Sequence, residues 1–174
     1  MSFMRFSGLA VAMAFAVSAC SREKAEAPVL AAEPSPAPAA APAAVNVSSV
    51  ASATPVKVYK DPNCGCCKEW IKHLEQSGFK VEVVDMPDLS AVKAKYGVTP
   101  ELQACHTAVV GNYTVEGHVP ADLIVKMLNE KPAIAGLAVP GMPMGSPGME
   151  GGMKESYDVL SFDKAGKTAV YAHR

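Results

Sequence analysis

Apolar and polar residues alternate along Val56-Lys57-Val58-Tyr59, which predicts a strand. From Cys66 to Gln76 the period lengthens. Cys67, Trp70, Ile71 and Leu74 recur at helical spacing, and Ser77-Gly78 stops the run. Val81 to Val84 reads as a second strand. Asp88 is placed to cap a short helix with Leu89, Val92 and Tyr96 on one face, ended by Gly97. Thr107 to Val110, the turn Gly111-Asn112 and Tyr113 to Val119 predict a hairpin. Pro120 suits a first helical position, and Leu123, Ile124, Met127 and Leu128 form the apolar stripe of a third helix. Pro132 lies just beyond its end. A Gly/Met/Pro loop, Ala135 to Met153, follows. A second hairpin, Tyr157 to Phe162 and Thr168 to Ala172, then closes the chain.

The order is strand, helix, strand, helix, hairpin, helix. A right-handed crossover makes the first two strands parallel, and the hairpin adds an antiparallel pair. The expected class is therefore α/β, a thioredoxin-like βαβαββα mixed sheet over residues 55–132. A C-terminal extension, 133–174, consists of the Met/Gly-rich loop and the β-hairpin and is expected to pack on the same domain.

The N-terminus has a different texture. After Arg5, Phe6 to Ala19 is an apolar run with the length of a signal-peptide core, so residues 1–19 are expected to be removed. The run ends in Val17-Ser18-Ala19-Cys20, which resembles a bacterial lipobox and makes Cys20 a candidate for lipidation. Residues 20–54 are dominated by Ala, Pro, Ser and Val and are expected to form a disordered tether from a membrane anchor. An exported domain meets oxidising conditions, where exposed thiols pair unless something holds them. Loss of Arg5 leaves one basic residue fewer than the 16 of the whole chain, against 17 acidic ones. That balance argues against nucleic acid as a partner.

The chemistry lies in the cysteines. Cys64-Gly65-Cys66-Cys67 opens the first helix directly after the first strand. A helix N-terminus presents unpaired N–H groups and partial positive charge, which favour thiolates. Cys67 shares the apolar face and points inward, while Cys66 is turned by about 100° from it. Cys64 and Cys67 have the spacing of a redox dithiol; vicinal Cys66 and Cys67 do not pair easily.

Cys105-His106 immediately precedes the strand that begins at Thr107, where a thioredoxin-like fold faces its active-site turn, usually with a cis-proline. No proline lies between Glu101 and Thr107. Cys105 and His106 in that place point to a metal, with thiolates suiting Cu(I) and zinc, and imidazole suiting copper in both oxidation states. The alternative is a pair of structural disulfides, Cys64–Cys67 and Cys66–Cys105, which needs no metal. Met142 and Met144 in the following loop favour copper over zinc, because thioethers are Cu(I) ligands. Adaptable packing is the competing explanation for them. His118, His73 and His173 are read as peripheral, with His73 solvated among Lys68, Glu69 and Lys72.

The stretch from Tyr59 through Cys64-Gly65-Cys66-Cys67 to Trp70, the later Cys105-His106-Thr107 and Val115-Glu116-Gly117-His118-Val119-Pro120 together resemble the CopG-like family. These are small exported proteins of Gram-negative bacteria, often encoded with copper-resistance genes. The resemblance covers roughly residues 56–139, with 141–145 also similar. It implies a thioredoxin-like fold, copper binding and a role in changing copper's oxidation state. By position it implies Cys64, Cys66, Cys67 and Cys105 as sulfur ligands or redox pair, and His106 as their neighbour.

The function expected is a periplasmic, membrane-tethered copper protein of copper resistance. Cys64 and Cys67 would serve as the redox pair, and Cys64, Cys66, Cys67, Cys105, His106, Met142 and Met144 as candidate ligands. Copper ions are the expected partner, with a copper efflux system or a periplasmic electron donor beyond them. The rivals are a metal-free thiol–disulfide oxidoreductase and a Cu(I) buffer or chaperone without turnover.

Overall fold

A computed structural model describes residues 47–174, all within one compact unit. The signal segment, the lipobox with Cys20 and most of the tether lie outside the described residues. The elements are α1 (Val47–Ala53), β1 (Pro55–Lys60), α2 (Gly65–Gln76), β2 (Lys80–Asp85), α3 (Ser90–Lys95), β3 (His106–Val110) and β4 (Tyr113–Gly117). They continue with α4 (Ala121–Glu130), β5 (Gly136–Val139), β6 (Asp158–Phe162) and β7 (Thr168–His173). A single 3₁₀ turn, Pro100–Leu102, precedes β3. Among the described residues no helix is long and apolar enough to cross a membrane.

All seven strands form one mixed sheet in the order β2-β1-β3-β4-β5-β6-β7. β1 runs parallel to β2 and antiparallel to β3, and β3 runs antiparallel to β4. This is the βαβαββα arrangement the periodicity predicts. β1 and β4 therefore point the same way, and their C-terminal ends share one end of the sheet with the start of β3.

Alternation along the strands divides the core in two. Val56 and Val58 of β1, Ala108 and Val110 of β3, Val115 of β4, and Leu137 and Val139 of β5 face α2 and α4. Trp70 and Leu74 of α2 and Ile124 and Met127 of α4, all fully buried, complete that larger layer. The opposite face holds a smaller cluster of Val98, Leu102, Ala138 and Phe162.

Three elements differ from the expectation. The end of the predicted tether is helical: α1 carries Ala51 into the main core at zero exposure and lies against α4. Val47–Ala53 holds two alanines against three serines and two valines, which are weaker helix formers, so this turn depends on the packing of Ala51 more than on propensity. Second, the predicted loop Ala135 to Met153 begins with strand β5. It pairs parallel with β4 and antiparallel with β6, and each of its four residues is buried. A strand covered on both faces reads as a short apolar run without alternation, so Gly136-Leu137-Ala138-Val139 is easily taken for loop. Third, α3 is capped at Leu89 rather than Asp88, which instead accepts the Ser90 N–H at 2.8 Å. Its buried residue is Lys93, not a member of the apolar stripe.

β5 attaches the extension to the domain, and Gly136 is what permits the approach. A Cβ there would lie 1.9 Å from the Thr114 carbonyl oxygen and 2.9 Å from the Phe162 ring. Gly136→Ala should therefore cost about 2–3 kcal/mol of stability, as overpacking does in a core. Urea unfolding checks this, and an unchanged midpoint would mean the β4–β5 pair is looser than described.

Candidate metal and redox centre

The turn between β1 and α2 is built by short polar contacts. The Asp61 side chain accepts the Asn63 N–H at 2.7 Å, and its carbonyl accepts the Cys64 N–H at 3.1 Å. Lys60, 3% exposed, donates to the Asp61 carbonyl at 3.0 Å and to Asp85 at 2.6 Å. The turn delivers Cys64 to the N-cap of α2, where its sulfur accepts the Cys67 N–H at 3.3 Å. Cys67 is fully buried on the apolar face, as its spacing predicts.

Cys64 and Cys67 form a disulfide, and Cys66 and Cys105 are free thiols. The second bridge of the two-disulfide alternative is absent, although its partners are close. Cys66 Sγ lies 3.5 Å from Cys64 Sγ and 3.9 Å from Cys105 Sγ. All four sulfurs lie within 4.8 Å of one another. The lone downstream cysteine thus joins the trio at one spot.

Two of the histidines join them. His106, fully buried, places Nδ1 3.4 Å from Cys105 Sγ and packs its ring 4.3 Å from the Trp70 ring. Its Nε2 makes no hydrogen bond. His118 is the residue that sequence reasoning missed. It is fully buried rather than peripheral, with Nε2 3.0 Å from Cys105 Sγ and Nδ1 2.6 Å from the Pro147 carbonyl. An oxygen acceptor at Nδ1 assigns the proton there, so Nε2 presents its lone pair to the Cys105 sulfur. Cys105, His106 and His118 form a second convergent donor group sharing the Cys105 sulfur. The signal for His118 lay in the topology. It follows β4, and the end of β4 sits beside the end of β1.

The extension closes over this centre. Met142 Sδ lies 3.9 Å from Cys66 Sγ. A Cβ on Gly148, whose φ is +85°, would come within 2.7 Å of the Cys66 carbonyl, 2.8 Å of the Trp70 nitrogen and 3.2 Å of His118 Nδ1. Only a glycine lets the loop sit this close. Met144 has a different contact: its terminal methyl lies 3.4 Å from where a Cβ on Gly152 would stand. His73 is half-buried rather than solvated, and its Nε2 accepts the Ala121 N–H at the start of α4, at 3.1 Å. His173 is peripheral, paired with Asp158 at 2.5 Å on the surface.

The electrostatics suit a soft cation. Burial, with the neighbouring Cys66 adding to it, pushes the Cys105 thiol up to about 12. Cys105 is therefore a neutral thiol at neutral pH, and a thiophilic cation would displace its proton on binding. Burial also lowers His118, against the Pro147 carbonyl. A neutral imidazole is the ligand form. The donor set of two thiols, two imidazoles and a thioether fits a soft or borderline ion.

Residues 102–149 match a family described as "Protein of unknown function, DUF411". No curated protein sequence matches. Two solved structures, Form 2 and Form 1 of copper resistance protein CopG, are each 48% identical to this chain with a TM-score of 0.66. The first match covers 70% of this chain and 98% of that one; the second covers 69% and 96%. The chain belongs to the CopG-like copper-resistance family. The DUF411 match takes in Cys105, His106, His118 and Met142 but not the Cys64–Cys67 turn. The family-model match thus rests on the downstream half of the centre.

The buried histidines set a pH dependence. Burial first, then the charges of His118 and Lys93, hold His106 well below its ordinary value. Burial lowers His73 and His118 as well. Each takes up its proton at a higher pH in the unfolded chain than in the folded one. Stability is therefore full above the unfolded-state value of about 6.5 and falls as pH drops below it. The urea midpoint should fall between about pH 7 and about pH 5, and His106→Phe should flatten that slope. An equal slope in the variant would remove His106 as a source.

Proposed function

We propose that this chain is an exported copper-binding protein of copper homeostasis that couples Cu(I)/Cu(II) interconversion to thiol–disulfide chemistry. The observation that carries it is the meeting of two free thiols, two imidazoles and the Met142 thioether around the Cys64–Cys67 disulfide. Copper is the cargo. The Cys66 and Cys105 sulfurs take Cu(I), His118 Nε2 and His106 supply nitrogen for either oxidation state, and Met142 guards the solvent side.

The electron count closes on the Cys64–Cys67 pair. In its reduced form, two thiols give two electrons to two Cu(II) ions, yielding two Cu(I), one disulfide and two protons. The reverse takes two electrons from two Cu(I) ions. The disulfide seen here is the oxidised member of that couple. A donor of reducing equivalents in the exported compartment would reset it. The apolar run before Cys20 and the lipobox-like Val17-Ser18-Ala19 support a periplasmic, lipid-tethered location, and a copper efflux system is a fitting recipient.

A metal-free thiol–disulfide oxidoreductase is the second reading, favoured by the disulfide at a helix start. Insulin reduction that persists under a copper chelator would establish it instead. The copper reading is tested on protein purified anaerobically, by elemental analysis beside a thiol count. Cys66→Ser and Cys105→Ser should each weaken Cu(I) binding by more than the roughly 10–100-fold that loss of an outer-shell partner costs. Cys64→Ser/Cys67→Ser should retain Cu(I) but abolish stopped-flow reduction of Cu(II) with matched thiol loss. Copper that binds without such reduction in the parent protein would leave a buffer.

A further inference from the structure

Behind the centre, on the opposite face of the sheet, lies a buried ion pair that the proposed chemistry does not use. Lys93 of α3 pairs with Glu116 of β4, their side chains 8% and 0% exposed. Burying two charges is costly, and a well-packed apolar pair is often as stable or more so. Stability alone is therefore a poor account of why this pair is here.

Its hydrogen bonds go almost entirely to one short segment. Glu116 Oε1 accepts the Ala104 N–H at 2.8 Å, and Lys93 Nζ donates to the Ala104 carbonyl at 3.1 Å. Thr107 Oγ1 donates to Glu116 Oε2 at 2.6 Å and accepts from Lys93 at 3.2 Å. The residue before Cys105 has both backbone groups held by charged side chains, and the residue after His106 is held by its hydroxyl. Gly117 completes the grip. Its φ is +69°, and a Cβ there would lie 2.6 Å from the Ala104 Cβ and 2.5 Å from the Val139 carbonyl oxygen.

Between those two fixed points the chain has two residues, Cys105 and His106. Both direct their side chains to the cysteine side of the sheet. We propose that the Lys93–Glu116 pair is a positioning device that holds Cys105 at bridging distance from Cys66, the 3.9 Å at which both sulfurs can bind one soft atom. Charged hydrogen bonds are directional, so they set where the segment sits, and an apolar pair filling the same volume would leave it free to shift. This deepens the copper reading, because Cys66 and Cys105 are its sulfur donors, but it concerns the spacing of two thiols whatever binds them.

Phenylarsine oxide tests it without copper. Arsenic bridges two neighbouring thiols, forming two As–S bonds and releasing one water. The full chain is used in a Cys20→Ser background with the Cys64–Cys67 disulfide intact, so that Cys66 and Cys105 are its free thiols. Lys93→Met/Glu116→Leu should keep the thermal midpoint within about 4 °C while weakening arsenical binding roughly tenfold or more, the scale of lost outer-shell support. Glu116→Gln retains an oxygen for the Ala104 N–H and should recover most of the affinity. Thr107→Val removes one hydroxyl and should cost roughly threefold. A double variant that folds and binds the arsenical as tightly as its parent overturns the proposal. If the double variant does not fold, Thr107→Val decides: the roughly threefold loss supports the positioning role, and unchanged affinity in that variant overturns it. A parent protein that bridges arsenic but takes up no copper would sink the copper reading and leave this one standing.

Discussion

The direction of three strands brings the cysteines and the two buried histidines of this centre together. β1 and β4 run parallel, with β3 antiparallel between them, so one end of the sheet collects the end of β1, the start of β3 and the end of β4. Those three points carry Cys64–Cys67, Cys105-His106 and His118. The crossover through α2 sets β2 parallel to β1 on one side, and the β3–β4 hairpin takes the other side of β1. A change of register by one residue would turn His106 to the opposite face and separate it from Trp70.

The extension finishes what the sheet begins. β5 joins the far side of β4, and the loop after it returns across the helix start. There Pro147 orients His118, Gly148 approaches the α2 backbone and Met142 reaches Cys66. The centre is therefore assembled from both ends of the domain. Its sulfurs are held on one side by a helix cap and on the other by a strand whose first residues are clamped from behind. Such an arrangement keeps donors close before any ion arrives, which lowers the ordering cost of binding.

Much of this was legible as pattern. Helical spacing located Cys67 inward beside Trp70, and the place of Cys105-His106 before a strand predicted its approach to the cysteine turn. Both are met. The parts without a local signature share a cause. β5 is covered on both faces, so it lacks the alternation that betrays a strand. Lys93 lies next to Val92, outside the Leu89, Val92 and Tyr96 stripe, and nothing local says that Glu116, two strands later, neutralises it. His118 stands between a strand end and a helix start, next to Gly117, where a histidine most simply reads as surface.

From its sequence alone, this protein's class, the order of its elements, the cysteine-rich turn at a helix start and the family pattern could be determined, because each depends on neighbours within a few turns of chain. Only the tertiary structure decided which sulfurs were paired and which were free. It also decided that His118 rather than His73 joins them, that Met142 comes within reach, and that a buried ion pair stands behind Cys105. Those facts depend on contacts between residues far apart in the chain. Packing sets such contacts to a fraction of an ångström, and no local periodicity records them.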